Sequence, residues 1–482
     1  MDFISQIRTE GTRFAAQFRD SLVLLPWLSV AIGCYWAMIV LSLYSPYLLG
    51  NMGSPAMPIS ASVISTVASI VAYVAVSIKF RTCRMTNSRK WLLPVLGAFM
   101  TIGALSYVFA LSGLFSSDFS AFLFCTGLIV VGITTAGVCF ALARVFAAIG
   151  PRRVLFHGSI ALFGGCIAVF FVSLLPHFVA SVVFVLLPSL LVSSLARSFL
   201  QVMKTQRFSY DVGQAVHIPW KFLVTSALQG IALGVMHSAL IAAPASLAQF
   251  STLGFCGAAL LLMITALIAL QDFNTLFYRV SFPMMALGFF FVWLGAGPSN
   301  GLLVGGVVLD AGYCYQYLVS CCLCAYLARN FKQSPYWIVG ISTACLLGGQ
   351  LAGSIAATFI SNAPLSSSLC VFLLLSSSLY LTSDKNLKFG WGSFRPGECC
   401  NERCSATKNA CELIASESGL SKRETEVMQL MAAGATRKEI AETLILSEET
   451  VKSHASSLYQ KLGIHSKKEL ANLVESRVPL FE

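Results

Sequence analysis

"LSEETVKSHASSLYQKLG", Leu446 to Gly463, is the stretch from which the organisation of this chain unfolds. Ser447 stands where a helix N-cap is needed, and Leu446 and Val451 are spaced as a hydrophobic staple across it. Val451, Ala455, Leu458 and Leu462 recur at the helical period and predict one apolar stripe. The other face carries Glu449, Lys452, Ser453 and Ser456, side chains that are short or charged. Capping boxes, in which a Ser or Thr caps a helix and a Glu three positions on reaches back, recur around it. They are "SKRE" at Ser421–Glu424, "TRKE" at Thr436–Glu439 and "SKKE" at Ser466–Glu469. Four short helices are therefore expected, at about 421–433, 436–444, 447–462 and 466–476. Val427, Leu430 and Met431, then Ile440 and Leu444, then Leu470 and Leu473 supply the remaining apolar stripes of one small core.

The chain that precedes this module has a different chemistry. Of 482 residues, 56% are hydrophobic and only 11% charged, against about 25% charged in typical soluble proteins. Residues 1–383 hold 18 Lys/Arg and 7 Asp/Glu, whereas 384–482 hold 14 of each, so the whole net charge of +11 belongs to the hydrophobic part. A basic surplus placed there is read as membrane topology rather than as nucleic-acid affinity.

A bilayer crossing needs about 20 apolar residues. Twelve candidate spans fit, near 22–48, 58–79, 92–115, 119–143, 154–175, 178–198, 219–241, 247–270, 277–297, 301–328, 335–360 and 365–383. Positive charge gathers in alternate turns: Lys79, Arg81, Arg84, Arg89 and Lys90; Arg144, Arg152 and Arg153; Arg197, Lys204, Arg207 and Lys221; Arg279; Arg329 and Lys332. The intervening turns, such as "GNMGSPAM" and "SNAPLS", have no Lys or Arg. The positive-inside rule then places the charged turns and both termini in the cytoplasm. No cleavable signal is expected, because the first apolar run is too long for a signal-peptide core. Residues 1–20, with Phe3, Ile4, Ile7, Phe14 and Phe18 among Arg8, Arg13 and Arg19, read either as an amphipathic surface helix or as an unstructured tail.

The spans divide six and six around the long connection from about Gln201 to Lys221. That plan resembles the major facilitator superfamily, whose two six-helix halves enclose a site near the bilayer midplane. The resemblance is architectural. After the second span, "VSIKFRTCRMTNSRK" keeps the basic residues of the family signature but lacks its Gly and Asp.

Ionisable residues at membrane depth are functional candidates, since their burial is costly. Asp310, in "GGVVLDAGYCYQYLV", is the acidic residue well inside a predicted span, with Tyr313 and Tyr317 at helical spacing from it. A carboxylate beside phenols suits a cationic ligand, or a hydroxylated aromatic one that donates hydrogen bonds to it; the alternative is a structural Asp bonded to a neighbouring helix. His237 and Gln229 on the seventh span are further ligand candidates, with cross-helix bonding as their alternative.

Cysteines in the apolar spans read as small hydrophobes. "ECCNERCSATKNAC" brings Cys399, Cys400, Cys404 and Cys411 together, a weak candidate for metal or redox chemistry because the paired spacing of a zinc site is missing. No resident metal or cofactor is expected, and no nucleophile–base pair or phosphate loop points to an enzyme. Residues 384–418, with breakers in "FGWGSFRPGE", read as a linker; if flexible, such a segment reaches roughly 30 Å.

A short helix, a tight turn and a second helix in "KEIAETLILSEETVKSH" meet the requirement of a helix-turn-helix. Through "LSKRETEVMQLMAAG", "KEIAETL", "LSEETVKSH" and "KLGIHSKKEL", residues 420–470 closely resemble the LuxR/NarL-type helix-turn-helix family. The resemblance implies that the third helix enters the major groove. It implies base contact from Lys452, Ser453 and Ser456, backbone-phosphate contact near Thr436, Lys438, Thr450 and His454, and dimerisation on a two-fold operator. No receiver domain precedes the module in this chain, so phosphorylation is not the expected input.

The expected protein is all-α. It has a cytoplasmic segment (1–20), a facilitator-like twelve-span sensor domain (21–383), a linker (384–418) and a four-helix LuxR-type domain (419–482). Its expected partners are promoter DNA, a small-molecule ligand, the lipid bilayer, a second copy on DNA and, as a further candidate, RNA polymerase. The rival expectation is a secondary transporter with an appended regulatory domain.

Overall fold

The computed structural model describes residues 18–19, 21–43, 56–82, 92–112, 114–205, 218–241, 252–268, 273–294, 299–330, 333–360, 363–382, 402–432, 440–441, 444, 446–464, 466, 469–470 and 473–474. They are helical or connecting residues, with no strand among them. The chain forms two compact units, Met1–Phe394 and Arg395–Glu482.

The first unit is a bundle of long apolar helices. In chain order they are α1 Pro26–Leu43, α2 Ala56–Thr82, α3 Leu92–Leu111, α4 Ser117–Ile149, α5 Pro151–Leu174 and α6 His177–Thr205. The second set is α7 Trp220–Ile241, α8 Gly254–Ile268, α9 Phe273–Leu294, α10 Ser299–Asn330, α11 Pro335–Phe359 and α12 Ala363–Leu381. Helices suit lipid because each satisfies its own backbone groups. Among the described residues nine are long and apolar enough to cross a membrane. The helices at Pro26–Leu41, Gly254–Ala266 and Leu365–Leu381 are apolar but shorter. The twelve expected crossings therefore stand at nine by length, with three shorter helices.

The first six helices pack on one another, as do the last six, and the halves meet where α2 and α4 face α11 and where α5 faces α8 and α10. Two seams explain how such apolar helices find one register. On α7, Gly230 and Gly234 lie against the carbonyls of Leu346 and Gln350, and on α11, Gly349 and Gly353 lie against those of Ala227 and Ile231. A Cβ at any of the four would overlap backbone of the partner helix. This is the close approach that small residues four apart allow in lipid, where burial of apolar surface gives no preference among partners.

The second seam joins the halves at one end of α2 and α11. Ser77 Oγ donates to the Tyr336 carbonyl at 3.3 Å, and Ser334 Oγ donates to the Phe80 carbonyl at 3.2 Å. The Arg81 guanidinium lies 4.9 Å from the Trp337 ring. This closed end carries Lys79 and Arg81 in the last turn of α2. At the same end α9 has a π-helical turn, Leu276–Ser281, whose Tyr278 carbonyl accepts from Ser378 of α12. Lys221 Nζ, at the start of α7, donates to the Leu381 carbonyl at 3.2 Å and so satisfies one of the orphan acceptors at the end of α12.

The second unit contains α13 Glu402–Glu417, α14 Lys422–Ala432 and α15 Glu448–Leu462. The helix α13 corrects the linker expected over 384–418. Ala410, Cys411 and Ile414 are buried in the core of this unit with Val427, Met428 and Met431 of α14 and Val451, Ala455 and Leu458 of α15. The breakers in "FGWGSFRPGE" end before this segment, and its apolar residues, at one-turn spacing, give it a face to bury. Of the expected helix 436–444, Ile440 and Ala441 are helical and buried; of 466–476, Leu470 and Val474 are.

Candidate ligand cavity and DNA-binding face

A cavity of about 120 Å³ opens inside the membrane unit, between the halves. It starts about one helical turn beyond the Ser77–Tyr336 contact, at Tyr73 on α2, and is walled by both sets of helices. Asp310, Tyr313, Tyr317 and His237 all line it, so α7 and α10 bring four of the five sequence candidates to one place. His237 Nε2 lies 3.8 Å from Asp310 Oδ1. Gly254, the first residue of α8, packs against the β-carbon of Asp310, which sets the positive end of a helix dipole beside the carboxylate. Gln229 does not line the cavity. Its Nε2 donates to the Tyr313 carbonyl at 3.1 Å and ties α7 to α10.

Much of the wall comes from residues that sequence reasoning did not single out. Tyr35 and Trp36 of α1, Ser69 and Tyr73 of α2, Phe255 of α8 and Gln350 of α11 all line the cavity. The hydroxyls of Tyr35, Tyr73 and Tyr317 gather with the Cys139 thiol in one buried cluster. Trp36 meets Tyr317 edge-on at 5.1 Å and Phe255 at 5.7 Å, and Tyr313 lies 6.3 Å from Tyr317. A signal existed in the adjacent Tyr35–Trp36 pair and in Tyr73, large amphipathic side chains within apolar spans. Nothing in the sequence relates them to Asp310, which follows more than two hundred positions later.

In the second unit, Ser447 caps α15: the Thr450 N–H donates to Ser447 Oγ at 3.1 Å, and the two hydroxyls share a further bond at 2.7 Å. Leu446 packs against the core that Val451 enters, which completes the staple. With Val451, Ala455 and Leu458 buried, the helix turns Lys452, Ser453 and Ser456 outward, all three exposed; His454 and Thr450 are half-buried. Lys452 Nζ is 3.8 Å from Glu449, an exposed pair of a kind that contributes little and leaves the lysine available. Thr436 and Lys438 lie outside the described residues.

Glu424 fixes the angle of this helix. Its carboxylate accepts from Lys461 Nζ at 2.8 Å, Ser457 Oγ at 2.6 Å and the Ser421 N–H at 2.7 Å, while its own N–H donates to Ser421 Oγ at 3.3 Å. The capping box of α14 thus also grips α15. The Lys461 ammonium, then the Ser457 hydroxyl and the Ser421 N–H, hold the carboxyl down at about 2. Of the four clustered cysteines, Cys411 is wholly buried in the core, where burial raises its thiol to about 11. Cys404 falls in α13, and Cys399 and Cys400 lie outside the described residues.

Comparison with known proteins agrees with both units. Residues 418–474 match the family model "Bacterial regulatory proteins, luxR family". The chain is 37% identical over 82 residues to the Fimbriae Z protein of Escherichia coli strain K12, covering 16% of this chain and 36% of that protein. It is 51% identical over 51 residues to the oxygen regulatory protein NreC of Staphylococcus aureus strain JH9, covering 11% of this chain and 24% of that protein. The chain therefore spans about a third or less of these curated relatives. Among solved structures, it superposes on the human organic anion transporter MFSD10 with a TM-score of 0.52 at 12% identity, over 76% of this chain and 99% of that one. For the major facilitator superfamily proton:xylose symporter XylE the TM-score is 0.51 at 12% identity, over 76% and 95%. For a bacterial homologue of the iron transporter ferroportin it is 0.51 at 11% identity, over 75% and 97%. The C-terminal unit is a LuxR-family helix-turn-helix module, and the rest of the chain has the fold of major facilitator transporters in a multi-pass helical membrane unit.

Proposed function

We propose that this protein is a one-component, membrane-bound transcription regulator, in which the membrane unit senses a small molecule and the LuxR-family module carries the result to promoters. The observation that carries this reading is that one chain joins a cavity, walled by Asp310, His237 and aromatic side chains, to a LuxR-family module with Lys452, Ser453 and Ser456 exposed on one face of α15. Lys452, Ser453 and Ser456 are assigned to base edges, and Thr436, Lys438, Thr450 and His454 to phosphates. The module pairs with a second copy on a two-fold operator and acts on RNA polymerase there. The protein sits in the bacterial inner membrane with both termini in the cytoplasm, as the alternation of basic turns requires. Ligand acts by binding one arrangement of the two six-helix halves more tightly than the other, since only differential affinity shifts an equilibrium.

The test is genome-wide DNA occupancy of the full-length chain in its native cell beside Lys452→Ala. Discrete promoter peaks, lost in the variant through a fall of about 1–3 kcal/mol in operator binding, support the reading. Peaks unchanged by Lys452→Ala overturn the assigned face, and no peaks under any growth condition overturn the regulator. The second reading, a transporter with an appended regulatory module, is favoured by the likeness of the membrane unit to transporters. It requires ligand accumulation in vesicles by a chain that lacks residues 384–482.

A further inference from the structure

We infer that the cavity of the membrane unit takes a compact organic ammonium ion, its charge countered by Asp310 and its alkyl groups set among Trp36, Phe255, Tyr313 and Tyr317. The inference rests on reading that cavity as the sensing site, and it names the class of ligand.

Asp310 is the starting point. It is 5% exposed, and among the described residues its carboxylate makes no hydrogen bond to protein. His237, its cationic candidate partner, stands at 3.8 Å, beyond hydrogen-bond reach. A carboxylate taken out of water without a bonded partner is costly, and such groups within membrane spans mark ligand or ion pathways. A bound cation recovers that cost in the complex, so the energy is stored for the ligand rather than spent on the fold.

The rest of the wall gives the same sign. Its side chains include no Lys or Arg, so His237 is the lining side chain that could carry a positive charge toward an anion. Some of its hydroxyl hydrogens are committed elsewhere. Ser69 donates to the Ser65 and Gly132 carbonyls at 2.8 and 3.1 Å, and Thr135 donates to the Val131 carbonyl at 2.6 Å. The oxygens of these hydroxyls keep lone pairs that can accept from a donor-bearing ligand. The contiguous rings of Trp36, Phe255, Tyr313 and Tyr317 add their negative faces, and cation–π attraction strengthens when the cation is desolvated. Size points the same way. At about 120 Å³ the cavity is close to an apolar cavity of about 150 Å³ that holds benzene, which suits a small ammonium such as an alkyl, choline-like or single-ring amine.

The experiment titrates the full-length chain in lipid nanodiscs, by calorimetry, with pairs of matched shape. Choline is set against 3,3-dimethylbutan-1-ol and phenethylamine against 2-phenylethanol, with 3-phenylpropionate as the anion. At least one cation is expected to bind about tenfold or more tightly than its neutral partner. Asp310→Asn is expected to erase that preference while it leaves binding of the alcohol intact, which also shows that the cavity is still folded. Tyr313→Leu serves as a second variant and is expected to weaken the cation more than the alcohol. The inference is overturned if an alcohol or the anion binds as tightly as the matched ammonium, if neither ammonium binds, or if Asp310→Asn keeps the preference. The two readings separate cleanly. A neutral ligand that still shifts promoter occupancy keeps the sensor and sinks the ammonium; ammonium binding that never alters occupancy does the reverse.

Discussion

Glu424 Oε2 accepts a hydrogen bond from Lys461 Nζ at 2.8 Å, and this bond joins the capping box of one helix to the far end of the helix assigned to DNA. The carboxyl is held down at about 2, below its ordinary 4.5, by the Lys461 ammonium and the Ser457 and Ser421 donors. A group depressed on folding contributes stability above its unfolded value and loses it as pH falls through the folded one. Urea unfolding of the C-terminal unit, followed within the full-length chain, should therefore show this contribution intact above about pH 4.5 and gone near pH 2. Glu424→Gln should lower stability at neutral pH by about 1–3 kcal/mol, since it leaves donors without their charged acceptor. It should also remove that part of the pH dependence; a variant with the same acid profile as the wild type would count against the assignment.

Ser447→Ala removes the cap of α15 and leaves the Thr450 N–H without its acceptor. The expected loss is about 1 kcal/mol, concentrated in the first turn. Hydrogen exchange should speed up at residues 448–451 more than at 456–462, and Ser447→Asp should restore protection. Equal exchange along the whole helix would argue that the cap is idle.

Two adjacent glycines of α11 give an internally controlled test of the helix seam. A Cβ on Gly348 meets open space, whereas one on Gly349 collides with the Ala227 carbonyl of α7. Gly348→Ala should be neutral or stabilise by about 0.5–1 kcal/mol, as an exchange of Gly for Ala inside a helix does. Gly349→Ala should reduce the yield of monodisperse protein on gel filtration. The reverse order would mean that α7 and α11 do not meet as described.

At the closed end of the bundle, Arg81 lies over Trp337 and Ser334 bonds the Phe80 carbonyl. Arg81→Ala with Ser334→Ala removes about 1–2 kcal/mol from the contact between halves. Amides 77–82 and 334–340 should then exchange faster, while those of the α7–α11 seam keep their protection. Unchanged exchange at both segments would show that other contacts hold that end shut.

How much of this was legible in advance depends on the range of the forces involved. The apolar helices, the Ser447 cap, the Leu446–Val451 staple and the Ser421–Glu424 box are each written within a few residues; among the described residues nine of the helices are long enough to cross a membrane, and the cap, staple and box are found in the structure. The helix α13 was missed because breakers and cysteines nearby drew attention away from the buried face of Ala410, Cys411 and Ile414. Gln229 was a candidate of the right kind in the wrong register: it bonds the Tyr313 backbone rather than facing the cavity.

By itself, the sequence determined that most of the chain is membrane helix and that its end is a LuxR-type module, because apolar length, helical period and capping chemistry act locally along the chain. Only the tertiary structure decided that Trp36 and Phe255 stand with Asp310, that Tyr35, Tyr73 and Tyr317 come together at one cavity, and that Glu424 grips Lys461. Those relations depend on which helix faces lie together. In lipid that choice rests on close contacts such as Gly230 and Gly349 against opposing backbone, and these acquire meaning only when both helices are in place.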